Sequence, residues 1–115
     1  MTEKMYQMKH AEMTGNHPYA EVVKEKFSLA LALMRKTDVT MNGAQRLGLL
    51  SHLCAMVSRH FEGGEIPPVD KAMFSEVSAW SIRVAEQICE GLSQLVEGEK
   101  YLLSIHFEAA KLNPV

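Results

Sequence analysis

Apolar residues recur along this chain at helical steps, and no stretch alternates with period two long enough to make a strand. From His17-Pro18, where the proline suits a first helical position, Val23, Phe27, Ala30, Leu31 and Met34 repeat every three or four residues, joined by Leu29 and Leu33. Lys36-Thr37 suits an exit from this helix. Asn42, followed three residues later by Gln45, has the pattern of a capping box and opens a second helix over about 43–61. In that helix Leu47, Leu50, Leu53, Cys54, Val57 and Phe61 are expected to face the core, with Leu49 and Met56 on one flank. His52 is expected to project away from the stripe, exposed or at an interface.

The run Glu62-Gly63-Gly64-Glu65-Ile66-Pro67-Pro68 is the one emphatic loop. Asp70 can cap a short segment anchored by Met73, Phe74 and Val77, and Ser78 marks a break before Trp80, Ile82, Val84, Ala85, Ile88 and Cys89. Gly91 and Gly98 bracket a weak point before a closing helix over 97–111. That helix is apolar around most of its circumference. Tyr101, Leu102, Ile105, Ala109 and Leu112 fill one arc; Leu103, Phe107 and Ala110 fill a second; Glu97, Lys100, Ser104, Glu108 and Lys111 make a narrow polar strip. His106 falls between the apolar arcs, with Glu99 two turns earlier on its side. The pattern predicts an all-α bundle of four or five helices. Residues 1–17 show no sustained period and are expected to form a flexible leader with at most a short helical turn, ahead of a single helical domain at 18–115.

The two apolar arcs of the closing helix exceed what a chain of 115 residues readily hides, which predicts a homodimer. A formal net charge of -2 without a basic block or aromatic platform argues against direct nucleic-acid binding. Cys54 and Cys89 lie within apolar helical patterns and read as reduced core residues. The polar first ten residues do not resemble a signal peptide, and no apolar run is long enough to span a membrane, so the expected location is the cytoplasm.

Five histidines invite a metal or catalytic reading, but no HExxH, CxxC or phosphate-binding glycine loop is present, and the adjacent Ser51 and His52 point about 100° apart on a helix. No catalytic residue, cofactor or metal is therefore expected. His10, His17 and His60 read as residues without a special role, with His60 able to cover a helix C-terminus. His52 reads as a solvated face residue, and His106 as a core histidine satisfied by Glu99 or a backbone carbonyl, unless either ring carries phosphate. Phosphorylation would place an anion against packed helices and shift an interface.

Two segments sharpen the choice. LGLLSHLCAMVSRHFEGGEI (47–66) and EKYLLSIHFEAA (99–110) resemble the two histidine signatures of the PTS regulation domain, or PRD, a helical module of sugar-responsive antiterminators and activators. The resemblance covers about residues 19–112. It implies a five-helix bundle that commonly dimerises, phosphorylated on His52 and His106, with Arg59 and Glu99 at the supporting positions. The phosphate donor it implies is the phosphocarrier protein or a sugar-permease subunit of the phosphotransferase system (PTS). Ser51 stands where the family often has Asp or Asn, and no RNA-binding domain precedes the single module. The reading is a stand-alone regulatory module modulating transcription or a partner protein. Its alternative is a structural helical dimer that has lost the phosphate switch, and the third reading is a small metal or catalytic protein using His52, His106 and Glu99. Arg59 and Arg83 are the candidate arginines to receive a phosphate on His106.

Overall fold

The structure, a computed structural model, describes residues 1–114, so Val115 at the end of the expected domain lies outside it. Among the described residues it is all-α: α1 (Glu3–Gly15), α2 (Ala20–Arg35), α3 (Gly43–Glu62), α4 (Ala79–Cys89) and α5 (Gly98–Ala110), with a 3-10 turn at Lys71–Phe74.

The first helix corrects the expected leader. Residues 3–15 form a full helix, capped by Thr2, whose hydroxyl accepts the Met5 N–H at 3.1 Å, and packed on α3, with Tyr6 and Thr14 buried. Its methionines give no apolar stripe because Met5 and Met8 stay largely exposed and only Met13 packs against the core. Its most buried aromatic ring is Tyr6, with the Arg46 guanidinium 4.9 Å from its centroid, and the His10 ring lies 5.4 Å from that of Phe27. His17, expected to have no special role, ties the α1–α2 link to α3. Its Nδ1 accepts the Tyr19 N–H at 3.1 Å, which places the ring proton on Nε2, facing the Cys54 carbonyl at 2.9 Å and Ser58 Oγ at 3.0 Å.

Helix α2 buries Val23, Phe27, Ala30 and Met34 as the periodicity predicts, but starts two residues after Pro18, its first backbone bonds running from the Val22 and Val23 N–H to the Tyr19 carbonyl. At the start of α3 the capping box forms: Asn42 Oδ1 accepts the Gln45 N–H at 2.8 Å, and Gln45 Oε1 accepts the Asn42 N–H at 3.1 Å. The buried face of α3 is rotated toward its expected flank. Leu49, Leu50, Leu53, Met56 and Val57 are buried, Leu47 and Cys54 only partly, and Phe61 is exposed, stacked on Tyr19 with centroids 4.4 Å apart. His52, three residues after Leu49 and four before Met56, is carried inward by that rotation.

The loop after α3 needs its glycines: φ is 83° at Gly63 and 137° at Gly64. It returns over the start of α5, where a Cβ on Gly98 would lie 2.8 Å from Val69 Cγ2. Gly98 is thus a close-packing position as well as a weak point in helix propensity. Gly98→Ala should lower the unfolding free energy by about 1–3 kcal/mol through overpacking, despite the better helix former. A urea melt showing stabilisation would mean that the loop is free to move aside.

The expected break at Ser78 is the N-terminus of α4, and α5 completes its cap. Glu108 accepts the Ser78 N–H at 3.2 Å, the Ser78 hydroxyl at 2.8 Å and the Ser81 hydroxyl at 2.6 Å. The Ser81 hydrogen bond foremost, with help from Ser78 and Lys111, holds this carboxyl down at about 2.

On α5 the expected phase is corrected. Its core face is Leu103, Phe107 and Ala110, together with Glu99 and Ser104. Ser104, assigned to the polar strip, is buried with its hydroxyl donating to the Tyr101 carbonyl at 2.6 Å. The other arc faces outward: Tyr101 and Leu102 are half-buried, Ile105 is 48% exposed and Leu112 is 86% exposed. Phe107 and Leu103 join Val23, Phe27, Met34, Leu50, Leu53, Val57 and Ile88 in the core shared by α2 to α5.

Candidate functional site: a polar seam between α3 and α5

Helices α3 and α5 meet along one side in antiparallel register. Residues seven apart share a face on a helix, so a residue pair facing across the seam is followed by another pair two turns along. Three polar pairs follow this rule. At one end the side chains of Gln45 and Asn113, just beyond α5, exchange amide hydrogen bonds: Gln45 Nε2 to Asn113 Oδ1 at 3.3 Å, and Asn113 Nδ2 to Gln45 Oε1 at 2.5 Å. In the middle His52 Nδ1 lies 3.0 Å from His106 Nε2, with the rings tilted 61° to each other. At the far end Arg59 grips Glu99 with two prongs, Nε to Oε2 at 2.6 Å and Nη2 to Oε1 at 2.8 Å.

Each member is set by its local helix. His52 is not the outward-facing residue that the stripe suggested; it is half-buried against α5. His106 does lie between two apolar arcs, but its partner is His52, not Glu99 or a carbonyl. Gly48, one turn before His52, lies alongside, and a Cβ there would be 3.9 Å from His106 Cε1. Glu99, expected as one of the groups that could satisfy His106, instead contacts Arg59 on the neighbouring helix. Being only 1% exposed, it depends on the charge of Arg59. Arg83 is placed elsewhere: it lines a groove of about 400 Å³ between α2 and α4 with Leu33, Lys36 and Trp80. Gln45–Asn113 and the pairing of Arg59 with Glu99 were not expected from the sequence. The equal seven-residue spacing of His52/Arg59 and Glu99/His106 was the available signal.

The seam holds its imidazoles neutral. Burial first, then the neighbouring His106, pushes His52 from 6.5 down to about 4, with Glu99 opposing and Arg59 adding to the shift; burial also lowers His106. Above pH 6.5 the His52 ring is neutral in both the folded and unfolded chain. Between 6.5 and about 4 the unfolded chain binds a proton that the folded pair refuses, so stability falls across that window and levels off below it. Allowing for the partial exposure of the ring, the loss is about 2 kcal/mol from this site. Urea melts at about pH 7 and about pH 4 should show it, with His52→Gln losing less stability than the wild type. Equal losses in the two proteins would contradict the packing of His52.

No family model matches the chain, and no curated protein matches it. A search of solved structures finds the crystal structure of a PRD-containing transcription regulator from Lactobacillus casei ATCC 334. It is 32% identical, with a TM-score of 0.84 over 90% of this chain and 93% of that one. The chain belongs to the PRD family, whose modules are not enzymes. Among the described residues, no group of three or more His, Cys, Asp and Glu side chains could hold a metal ion, and no helix is long and apolar enough to cross a membrane.

Proposed function

We propose that this PRD module is a cytoplasmic, PTS-linked regulator, phosphorylated on His52 or His106, that modulates transcription or a partner protein in response to sugar uptake. The donor is the phosphocarrier protein or a sugar-permease subunit, and direct contact with nucleic acid is no part of the reading. The observation that supports it most is the His52–His106 bond in the middle of the α3–α5 seam. A phosphoryl group on either ring adds about two negative charges beside Glu99, which Arg59 alone neutralises, and so acts on the contact between two core helices. In this reading Arg59, two turns from His52 along the same seam, answers that charge at the cost of its grip on Glu99.

The outward arc of α5, Leu102, Ile105, Ala109 and Leu112, supports a homodimer, and Leu102 shares a groove with Met73, which is 80% exposed. Light scattering at about 50 μM should give twice 12.9 kDa, and a 12.9 kDa species alone would remove the dimer from the account. Incubation with the phosphorylated phosphocarrier protein, followed by mass spectrometry at neutral pH, tests the phosphorylation itself. Label on His52 or His106 is expected. Its absence from both, beside a donor that labels a control, would leave a helical interaction dimer without the switch, the reading that Ser51 favours.

A further inference from the structure

The His52–His106 bond has a chemical consequence for where phosphate can go. Only one nitrogen of each ring takes part, Nδ1 of His52 and Nε2 of His106. The outer nitrogens, His52 Nε2 and His106 Nδ1, have no hydrogen-bond partner in the protein. Every buried side-chain nitrogen among the described residues does have one, so these two reach solvent. Beside His106 the flanking α3 position is Gly48, exposed and without a side chain to cover the ring edge.

Two neutral imidazoles carry two ring protons, and one lies in the bond between them. If His52 donates, its Nε2 holds a free lone pair and His106 Nδ1 carries a proton. If His106 donates, its Nδ1 holds the free lone pair and His52 Nε2 carries the proton. In neither arrangement is the lone pair of an inner nitrogen free to attack.

We propose that the paired seam directs phosphate to different ring atoms on its two histidines: Nε2 of His52 and Nδ1 of His106. This rests on the reading that the pair accepts phosphate, and adds the regiochemistry. On His52 the Nε2 lone pair forms the new N–P bond as the donor's P–N bond breaks, and the donor nitrogen leaves with a proton. The inner proton of His52 passes to His106 Nε2, and the outer proton of His106 passes to water. On His106 the same steps run in mirror image, with His52 Nδ1 receiving the inner proton. Each imidazole is thus the positioning partner and proton acceptor of the other. The assignment to His106 Nδ1 is the discriminating one. Nδ1 is bonded to the substituted Cγ and gives the less stable phosphoramidate of an isolated histidine, so an unpaired ring left to equilibrate with the donor carries phosphate on Nε2.

Phosphoramidate, a small-molecule donor whose phosphoryl group leaves ammonia, tests this without any partner protein. The full chain labelled with 15N-histidine is treated at neutral pH, and multiple-bond 1H–15N correlations with 31P coupling identify the phosphorylated atom. In the folded wild type, phosphate is expected on His52 Nε2, His106 Nδ1 or both, with labelling of either inner nitrogen at least ten-fold lower. In His52→Asn, confirmed folded by circular dichroism, His106 should switch to Nε2, as it should in the wild type unfolded in urea. Phosphate on His106 Nε2 or His52 Nδ1 of the folded wild type would overturn the proposal, as would failure of both rings to react while the urea-unfolded chain does. Reaction at the outer nitrogens with phosphoramidate, but none with the phosphorylated phosphocarrier, would support the regiochemistry and reject the proposed biological donor.

Discussion

Arg59→Leu should lower the unfolding free energy by about 3–5 kcal/mol, because it strands a carboxylate that has almost no access to water. Glu99 is 1% exposed, and both of its oxygens are bound by this one guanidinium. The two members of the pair are not equivalent. The Arg59 side chain keeps 22% of its exposure, so after Glu99→Leu the arginine can turn toward solvent and the cost should be smaller. Replacing both with leucine removes the buried charge together with its partner, and should recover most of what the arginine substitution loses. Denaturant melts of the three variants check the ordering. A loss below about 1 kcal/mol for Arg59→Leu would mean that the far end of the seam is open to water.

The second large effect separates the two apolar arcs of α5. Leu103→Ala should cost about 2–5 kcal/mol and Phe107→Ala about 3–5 kcal/mol, through lost burial and the cavity left in the core. Both side chains are wholly buried. Ile105→Ala, at a position 48% exposed, should change monomer stability by no more than about 0.5 kcal/mol. If the outward arc is the dimer contact, the Ile105 effect should grow with protein concentration, whereas the Leu103 and Phe107 effects persist at every concentration. Equal losses at all three positions in dilute protein would place the core face of α5 elsewhere.

The contrast between these arcs shows where the sequence runs out. Two stripes on one helix are both apolar, and periodicity cannot tell which faces the same chain and which faces another. The deciding residues are polar: Ser104 and Glu99 are buried because a backbone carbonyl and an arginine from α3 satisfy them, and neither partner is visible from local spacing. The same ambiguity misplaced His52. The stripe on α3 is broad enough to be centred on Leu47, Cys54 and Phe61 or on Leu49 and Met56, and packing against α1, α2 and α5 together selects the second. Elements whose causes are local were legible. The Asn42–Gln45 capping box, the glycine-proline loop and the Ser78 break follow from side chains within a few residues of the backbone they shape. The first helix was not, because Met5 and Met8 are exposed and its buried positions, Tyr6 and Thr14, spell no apolar stripe. The family signatures picked out His52, Arg59, Glu99 and His106 but not their pairing, which depends on how two helices far apart in the chain come into register.

That register makes the central claim, that the paired histidines act as a switch on the α3–α5 contact, open to a direct measurement. Hydrogen–deuterium exchange on the unmodified and the histidine-phosphorylated protein, compared at the same pH, reports opening of each helix separately. Phosphorylation should raise exchange in α3 around Leu49–Met56 and in α5 around Leu103–Phe107. Identical protection along α3 and α5 in the two forms would contradict the account, because phosphate would then sit on the seam without acting on it.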